Sequence, residues 1–107
     1  MQIQLNTDHN VEGSEGLAAH VQAVVEHALA HFSKRISRVE VHITDENGGK
    51  VGHDDKRCVM EARIEHHEPT AVTEHAGSVH QAVDGAAGKL ARAVEHVLAK
   101  ADSRKPL

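Results

Sequence analysis

The sequence predicts an α+β domain of two layers, with the order β-α-β-β-β-α and both helices on one face of a four-stranded sheet. Three segments alternate apolar and polar residues, which is typical of strands with one buried and one polar face. Two longer segments repeat apolar residues every three or four positions, which predicts amphipathic helices. The 107 residues suffice for a single core. The helices should therefore cover the apolar face of the sheet.

The N-terminal part contains the first strand and the first helix. Gln2–Thr7 alternates in polarity and predicts a strand. Ser14 is a suitable N-cap, because its hydroxyl can accept a hydrogen bond from a backbone N–H of the first turn. The apolar periodicity over residues 17–32 predicts a helix that ends near Ser33.

Three more strands are expected in the middle of the chain. Arg38–Thr44 and Lys56–Glu65 alternate clearly, and a Gly-rich acidic loop, Asp45–Asp55, connects them. Thr70–His75 is a weaker fourth strand. Pro69 precedes it, and we place it at an edge of the sheet, where proline is tolerated.

The C-terminal part is predicted to be one long helix. Ser78 is its candidate N-cap, and the apolar pattern continues to about Ala101. We therefore expect one domain over residues 1–101 and a polar C-terminal tail over residues 102–107.

Composition excludes several classes of protein. Phe32 is the one residue among Phe, Trp and Tyr, which argues against recognition of single-stranded nucleic acid by base stacking. Cys58 is the one cysteine, so an internal disulfide and a Cys-rich zinc site are excluded, and we expect it to be a small core residue. The N-terminus lacks the pattern of a signal peptide, and no apolar run has the roughly 20 residues of a membrane span. We expect a cytoplasmic protein without membrane contact.

The basic residues of the last helix form a stripe beside its apolar seam. They are spaced i, i+3, i+7 and i+11, and the helix acids Asp84 and Glu95 lie on the other flank. The four residues are Lys89, Arg92, His96 and Lys100. Such segregation suits phosphate binding, because each neutralised phosphate releases counterions. The alternative is an ordinary solvated helix face. The stripe is notable because the chain carries a formal charge of -4.

The first helix has a similar flank that is rich in histidine. His20, His27, His31 and Lys34 lie along it, with acids opposite. The i, i+4 spacing of His27 and His31 also suits two metal ligands on one helix face. No carboxylate or cysteine cluster completes such a set, so we predict surface histidines and no metal site.

No pattern in the chain indicates catalysis. There is no nucleophile with a paired base, no phosphate-binding loop and no dinucleotide fingerprint. The acidic loop lacks the ligand order of a calcium-binding EF-hand. We expect a protein that is not an enzyme, needs no cofactor and takes no small-molecule substrate.

Three stretches of the chain resemble the ribosome hibernation-promoting factors and ribosome-associated inhibitor A proteins of bacteria. They are HNVEGSEGL, FSKRISRVEVHITDENG and AVDGAAGKLARAVEHVLAK, and they occur in the family's order over nearly the whole chain. A further stretch, DENGGKVGHDDKRCVMEAR, looks like the signature of a small proteobacterial branch. The resemblance is to the short form, which has no C-terminal dimerisation domain.

This resemblance implies a fold similar to double-stranded RNA-binding domains. It also implies binding in the mRNA and tRNA channel of the small ribosomal subunit, where the family blocks translation in resting or stressed cells. Lys89, Arg92 and Lys100 match basic positions of the family's last helix, and Arg35 matches an arginine before its second strand. By resemblance these residues contact rRNA.

Histidines replace lysines at some of the family's basic positions. His96 and Leu98 stand where typical members carry lysine, and His27 stands near another such position. Because histidine gains its charge near pH 6.5, we hypothesise that RNA binding strengthens as the pH falls toward 6.

The sequence thus predicts a ribosome-associated translation inhibitor whose partners are the small ribosomal subunit and its rRNA, and not DNA. Two alternatives stay open: a histidine-rich metal-binding protein, and a protein-interaction module with the same fold and reduced RNA affinity. The candidate RNA-binding residues are Lys89, Arg92, Lys100, His96, Arg35, Lys34, His27 and His31.

Overall fold

The computed structural model describes residues 1–9, 11–46 and 56–103. It has the predicted order of strands and helices, with one additional short 3₁₀ helix. The elements are β1 (Gln2–Thr7), α1 (Glu15–Ala28), the 3₁₀ helix (Ala30–Arg35), β2 (Ile36–Asp45), β3 (Lys56–Ile64), β4 (Thr70–Ala76) and α2 (Val79–Ser103). The predicted α+β fold class is therefore confirmed. The acidic loop falls largely on residues 47–55, which lie outside the described residues.

The four strands form one sheet in the order β1-β2-β3-β4. β1 is parallel to β2, and the other neighbours are antiparallel. One inward row crosses the sheet through Leu5, Val41, Met60 and Val72. β4 is an edge strand, as the preceding Pro69 led us to expect.

The core lies between this sheet and the two helices. α2 packs on β3 and β4, whereas α1 lies beside α2 and over β1. Cys58, Met60, Ala62 and Ile64 alternate inward along β3, and all four are buried. Burial raises the pKa of the Cys58 thiol to about 12, so this side chain is an inert core group. The helices complete the core with an apolar seam that includes Leu17, Val21, Val25, Leu90, Val94 and Leu98.

The end of α1 differs from the prediction. The α-helix begins after the Ser14 cap, whose Oγ accepts from the Leu17 N–H at 3.0 Å, but it ends at Ala28 instead of near Ser33. Beyond it the Phe32 N–H donates to the Leu29 carbonyl, three residues back. Because a 3₁₀ helix has three residues per turn, it keeps the buried Leu29 and the partly buried Phe32 on the core side.

The boundaries of β2 and α2 also move by a few residues. β2 begins at Ile36 rather than Arg38, and a register irregularity separates these two residues. α2 begins after Ser78, whose Oγ accepts from the Gln81 N–H, and it continues to Ser103. The last helical residues thus include the start of the predicted tail, and residues 104–107 lie outside the described part. Although α2 has 25 residues, none of the described helices is long and apolar enough to cross a membrane.

Candidate nucleic-acid interface

The basic stripe of α2 lies outside the core, as its spacing predicts. Leu90 and Val94 of the same helix are buried, at 1% and 0% exposure. The four basic residues of the stripe, in contrast, are exposed. They are Lys89, Arg92, His96 and Lys100.

Contacts of Lys89 show which flank of α2 carries the stripe. The Lys89 ammonium lies 3.1 Å from Oε1 of Glu74 and donates a hydrogen bond to the Thr73 carbonyl at 3.0 Å. Both partners belong to β4. The stripe therefore runs along the flank of α2 that lies over the β4 edge of the sheet.

The opposite flank of α2 is acidic and faces α1. Asp84 Oδ1 lies 3.0 Å from His20 Nε2, and Asp102 Oδ1 lies 3.5 Å from Arg35 Nη1. His27 also faces this side, because it lines a groove of about 440 Å³ between the two helices together with Asp84. The histidine-rich flank of α1 thus lies beside the acids of α2.

The predicted site residues consequently fall into two separate groups. Lys89, Arg92, His96 and Lys100 share the β4 flank of α2. His27 and Arg35 lie on the α1 side, across the acidic flank. Lys89 of the first group contacts Glu74 of β4, whereas Arg35 of the second contacts Asp102 of the acidic flank.

His31 and Lys34 lie in the 3₁₀ helix and are exposed. Because α1 ends at Ala28, His27 and His31 are not one turn apart on one α-helix, which the metal-ligand spacing would require. Within residues 1–9, 11–46 and 56–103, no three His, Cys, Asp or Glu side chains are arranged to hold a metal ion.

A further histidine, His67, joins the stripe of α2. It follows β3 in a turn where His66 adopts a φ of 66°. His67 lines a cleft of about 270 Å³ with His96 and Lys100. The His66-His67 pair is visible in the sequence, but nothing in the spacing indicates that this turn reaches α2.

The open face of the sheet, which is turned away from the helices, also carries charged side chains, and its arginines lie near glutamates. Arg38 stands opposite Arg63, and the next residues on this face, Glu40 and Glu61, stand opposite each other. Arg38 pairs with Glu40, and Arg63 lies 3.9 Å from Glu61. On this face acids and bases thus alternate along each strand, whereas on α2 the acids Asp84 and Glu95 lie on the flank opposite the basic stripe. The α2 stripe is therefore the better candidate interface.

The chain belongs to the family described as sigma 54 modulation protein / S30EA ribosomal protein, whose sequence profile matches residues 5–102. This match confirms the resemblance to the ribosome hibernation-promoting factors. No protein with a curated function matches the chain at a significant level of sequence similarity.

Two solved structures share the fold. The N-terminal domain of Protein Y from Thermus thermophilus superimposes with a TM-score of 0.73 at 15% sequence identity, covering 91% of this chain and 99% of that domain. A ribosomal subunit interface protein from Coxiella burnetii gives a TM-score of 0.76 at 16% identity, covering 92% of this chain and 99% of that one. At this level of identity the similarity establishes the arrangement of the sheet and helices.

Proposed function

We propose that this protein is a ribosome-associated translation inhibitor that binds rRNA of the small subunit through the basic stripe of α2. The observation that carries the proposal is the exposed row of Lys89, Arg92, His96 and Lys100 on one flank of the helix. From Lys89 to Lys100 the row extends about 16 Å along the helix axis. A nucleic-acid backbone presents several phosphates over such a length.

Family membership supports the ribosome as the partner. The family description names a ribosomal protein, and the structural neighbour from Coxiella burnetii is called a ribosomal subunit interface protein. The proposed site is the mRNA and tRNA channel of the small subunit. A protein bound there would prevent mRNA and tRNA from binding and so block translation. The proposed activity is binding by a cytoplasmic protein, with no catalytic step and no cofactor.

The second group of basic residues is assigned a secondary role. His27, His31, Lys34 and Arg35 lie on the α1 side, where Asp84 contacts His20 and Asp102 forms an ion pair with Arg35. These carboxylates repel phosphates that approach the same side. The main phosphate contacts are therefore placed on α2.

Sedimentation with purified ribosomal subunits tests this function. The chain is expected to sediment with small subunits and not with large ones, and added mRNA and tRNA should compete with it. Absence from the small-subunit fraction would contradict the proposal. Capture of a protein partner that resists ribonuclease would instead favour an interaction module, and stoichiometric zinc binding without ribosome association would favour a metal-binding protein.

A further inference from the structure

We propose that Glu74 attenuates RNA binding by holding Lys89 against β4, so that the basic stripe has a lower affinity for phosphate than its sequence suggests. This inference rests on the function proposed above. It assigns a role to an acidic residue outside α2.

Glu74 occupies an unusual position for an acid. It lies on β4 between Val72 and Ala76, in the alternation that points toward α2, and all three residues are partly buried. Its side chain is 28% exposed, and that of Lys89 is 44% exposed. The carboxylate is thus placed against the helix that carries the stripe.

Two acceptors of β4 hold the Lys89 ammonium. Oε1 of Glu74 lies 3.1 Å from Nζ, and the carbonyl oxygen of Thr73 lies 3.0 Å from it. An ammonium has three N–H donors, so these contacts use two of them inside the protein. A phosphate that binds Lys89 therefore has to share the ammonium with the Glu74 carboxylate or displace that carboxylate.

Gly85 makes room for this carboxylate on α2. A Cβ at position 85 would lie 2.8 Å from Cγ and 2.9 Å from Cδ of Glu74, and closer still to Oε2. Any other residue would force the Glu74 side chain to move. Glycine is unfavourable inside a helix, and here the fold uses it where the Glu74 carboxylate approaches.

The Glu74 carboxylate keeps its charge at physiological pH. The hydrogen bond from Lys89 is the main cause that lowers the pKa of Glu74 below its usual value, and the backbone N–H of His75 acts in the same direction. The negative charge therefore faces any phosphate at this end of the stripe. Neutralising Glu74 should tighten RNA binding through Lys89.

The first test compares Glu74→Gln with Glu95→Gln. Both variants remove one negative charge, but Glu95 lies on the opposite flank of α2. Glu74→Gln should bind small ribosomal subunits about two- to fivefold more tightly than the wild type, which is the range of an exposed ion pair. Glu95→Gln should change the affinity less. An equal gain in both variants would show an effect of net charge alone and would overturn the proposal.

The second test displaces the carboxylate without changing any charge. Gly85→Ala should move Glu74 away from Lys89 and also tighten binding. In a Lys89→Ala background, Glu74→Gln should have no effect, because the attenuation acts through Lys89. An undiminished effect in that background would contradict the mechanism. Thermal unfolding of every variant verifies that the fold is intact.

The same affinities should be measured with an A-form RNA duplex as a second probe. If the wild type binds the duplex but not the ribosome, the proposed function is contradicted. The affinities of the wild type and of Glu74→Gln for the duplex then still test the attenuation. If the wild type binds both and Glu74→Gln binds neither more tightly, the attenuation fails while the proposed function stands. Absence of binding to both probes would overturn both proposals.

Discussion

His20 of α1 and Asp84 of α2 meet across the helix pair, with Nε2 of the histidine 3.0 Å from Oδ1 of the aspartate. This contact joins the histidine-rich flank of one helix to the acidic flank of the other. It explains why an acidic chain can present an ordered row of cations. Asp84 and Asp102 of α2 contact His20 of α1 and Arg35 of the 3₁₀ helix, and the basic stripe lies on the side of β4.

The His20–Asp84 contact should orient the helices more than it stabilises them. Both side chains are partly exposed, at 27% and 58%, and exposed pairs contribute about 0.2–1 kcal/mol. A double-mutant cycle with His20→Gln and Asp84→Asn should give a coupling energy below about 1 kcal/mol in urea unfolding at pH 7. A value above about 2 kcal/mol would show that the pair is a main determinant of stability.

Leu90 should be essential for stability, whereas its neighbour Arg92 should not be. Leu90 is 1% exposed at the centre of the helix–sheet core. Leu90→Ala should therefore lower the free energy of unfolding by about 2–5 kcal/mol. Arg92→Ala should change it by no more than about 0.5 kcal/mol. Similar unfolding midpoints for the two variants would contradict the orientation of α2 on which the interface depends.

Glu74 should contribute to stability in a pH-dependent way. Its pKa in the folded protein lies below the ordinary value of 4.5, mainly because Lys89 donates a hydrogen bond to it. The contribution is therefore present above about pH 4.5 and is lost as the pH falls through the lowered pKa. As the pH falls from 6 to 3.5, the melting temperature of the wild type should therefore decrease more than that of Glu74→Gln. A constant difference in melting temperature over this range would contradict the ion pair.

RNA binding should strengthen as the pH falls from 7.5 to 6.0, and His96 should account for most of the change. His96 lines a cleft with His67 and Lys100, whereas His27 lines the groove between the helices that Asp84 also lines. A protonated His96 adds charge to the stripe itself, whereas a protonated His27 adds charge on the α1 side, where the Asp84 carboxylate lines the same groove. His96→Gln should therefore flatten the pH profile more than His27→Gln does. His42→Gln, on the open face of the sheet, is the control, and a flat wild-type profile would refute the hypothesis.

The sequence predicts the strands well because their alternation depends on burial alone. The predicted and observed bounds of β3 agree within one residue, since every second residue from Cys58 to Ile64 is apolar and buried. The predicted end of α1 is wrong because the apolar spacing there does not distinguish an α-helix from a 3₁₀ helix. Leu29 and Phe32 are three residues apart, and this spacing is compatible with an α-helix and with a 3₁₀ helix.

The candidate site could be predicted only in part. The spacing of Lys89, Arg92, His96 and Lys100 places them off the apolar seam, which local helical geometry fixes. The contact between Lys89 and Glu74 joins residues 15 positions apart in the sequence, and it depends on how α2 packs on β4. His67 reaches the stripe for the same kind of reason. No local pattern encodes these contacts between elements.

The affinity of a Lys89→Ala/Arg92→Ala variant for small ribosomal subunits tests the central claim most directly. Its matched control is Arg57→Ala/Arg63→Ala, which removes the same charge from exposed positions of β3. The α2 variant should bind more than about tenfold more weakly, and its salt dependence should flatten by roughly one unit for each phosphate that it no longer neutralises. The β3 variant should bind nearly as the wild type does. Equally weakened binding by the two variants, or an unchanged affinity of the α2 variant, would contradict the assignment of the interface to this stripe.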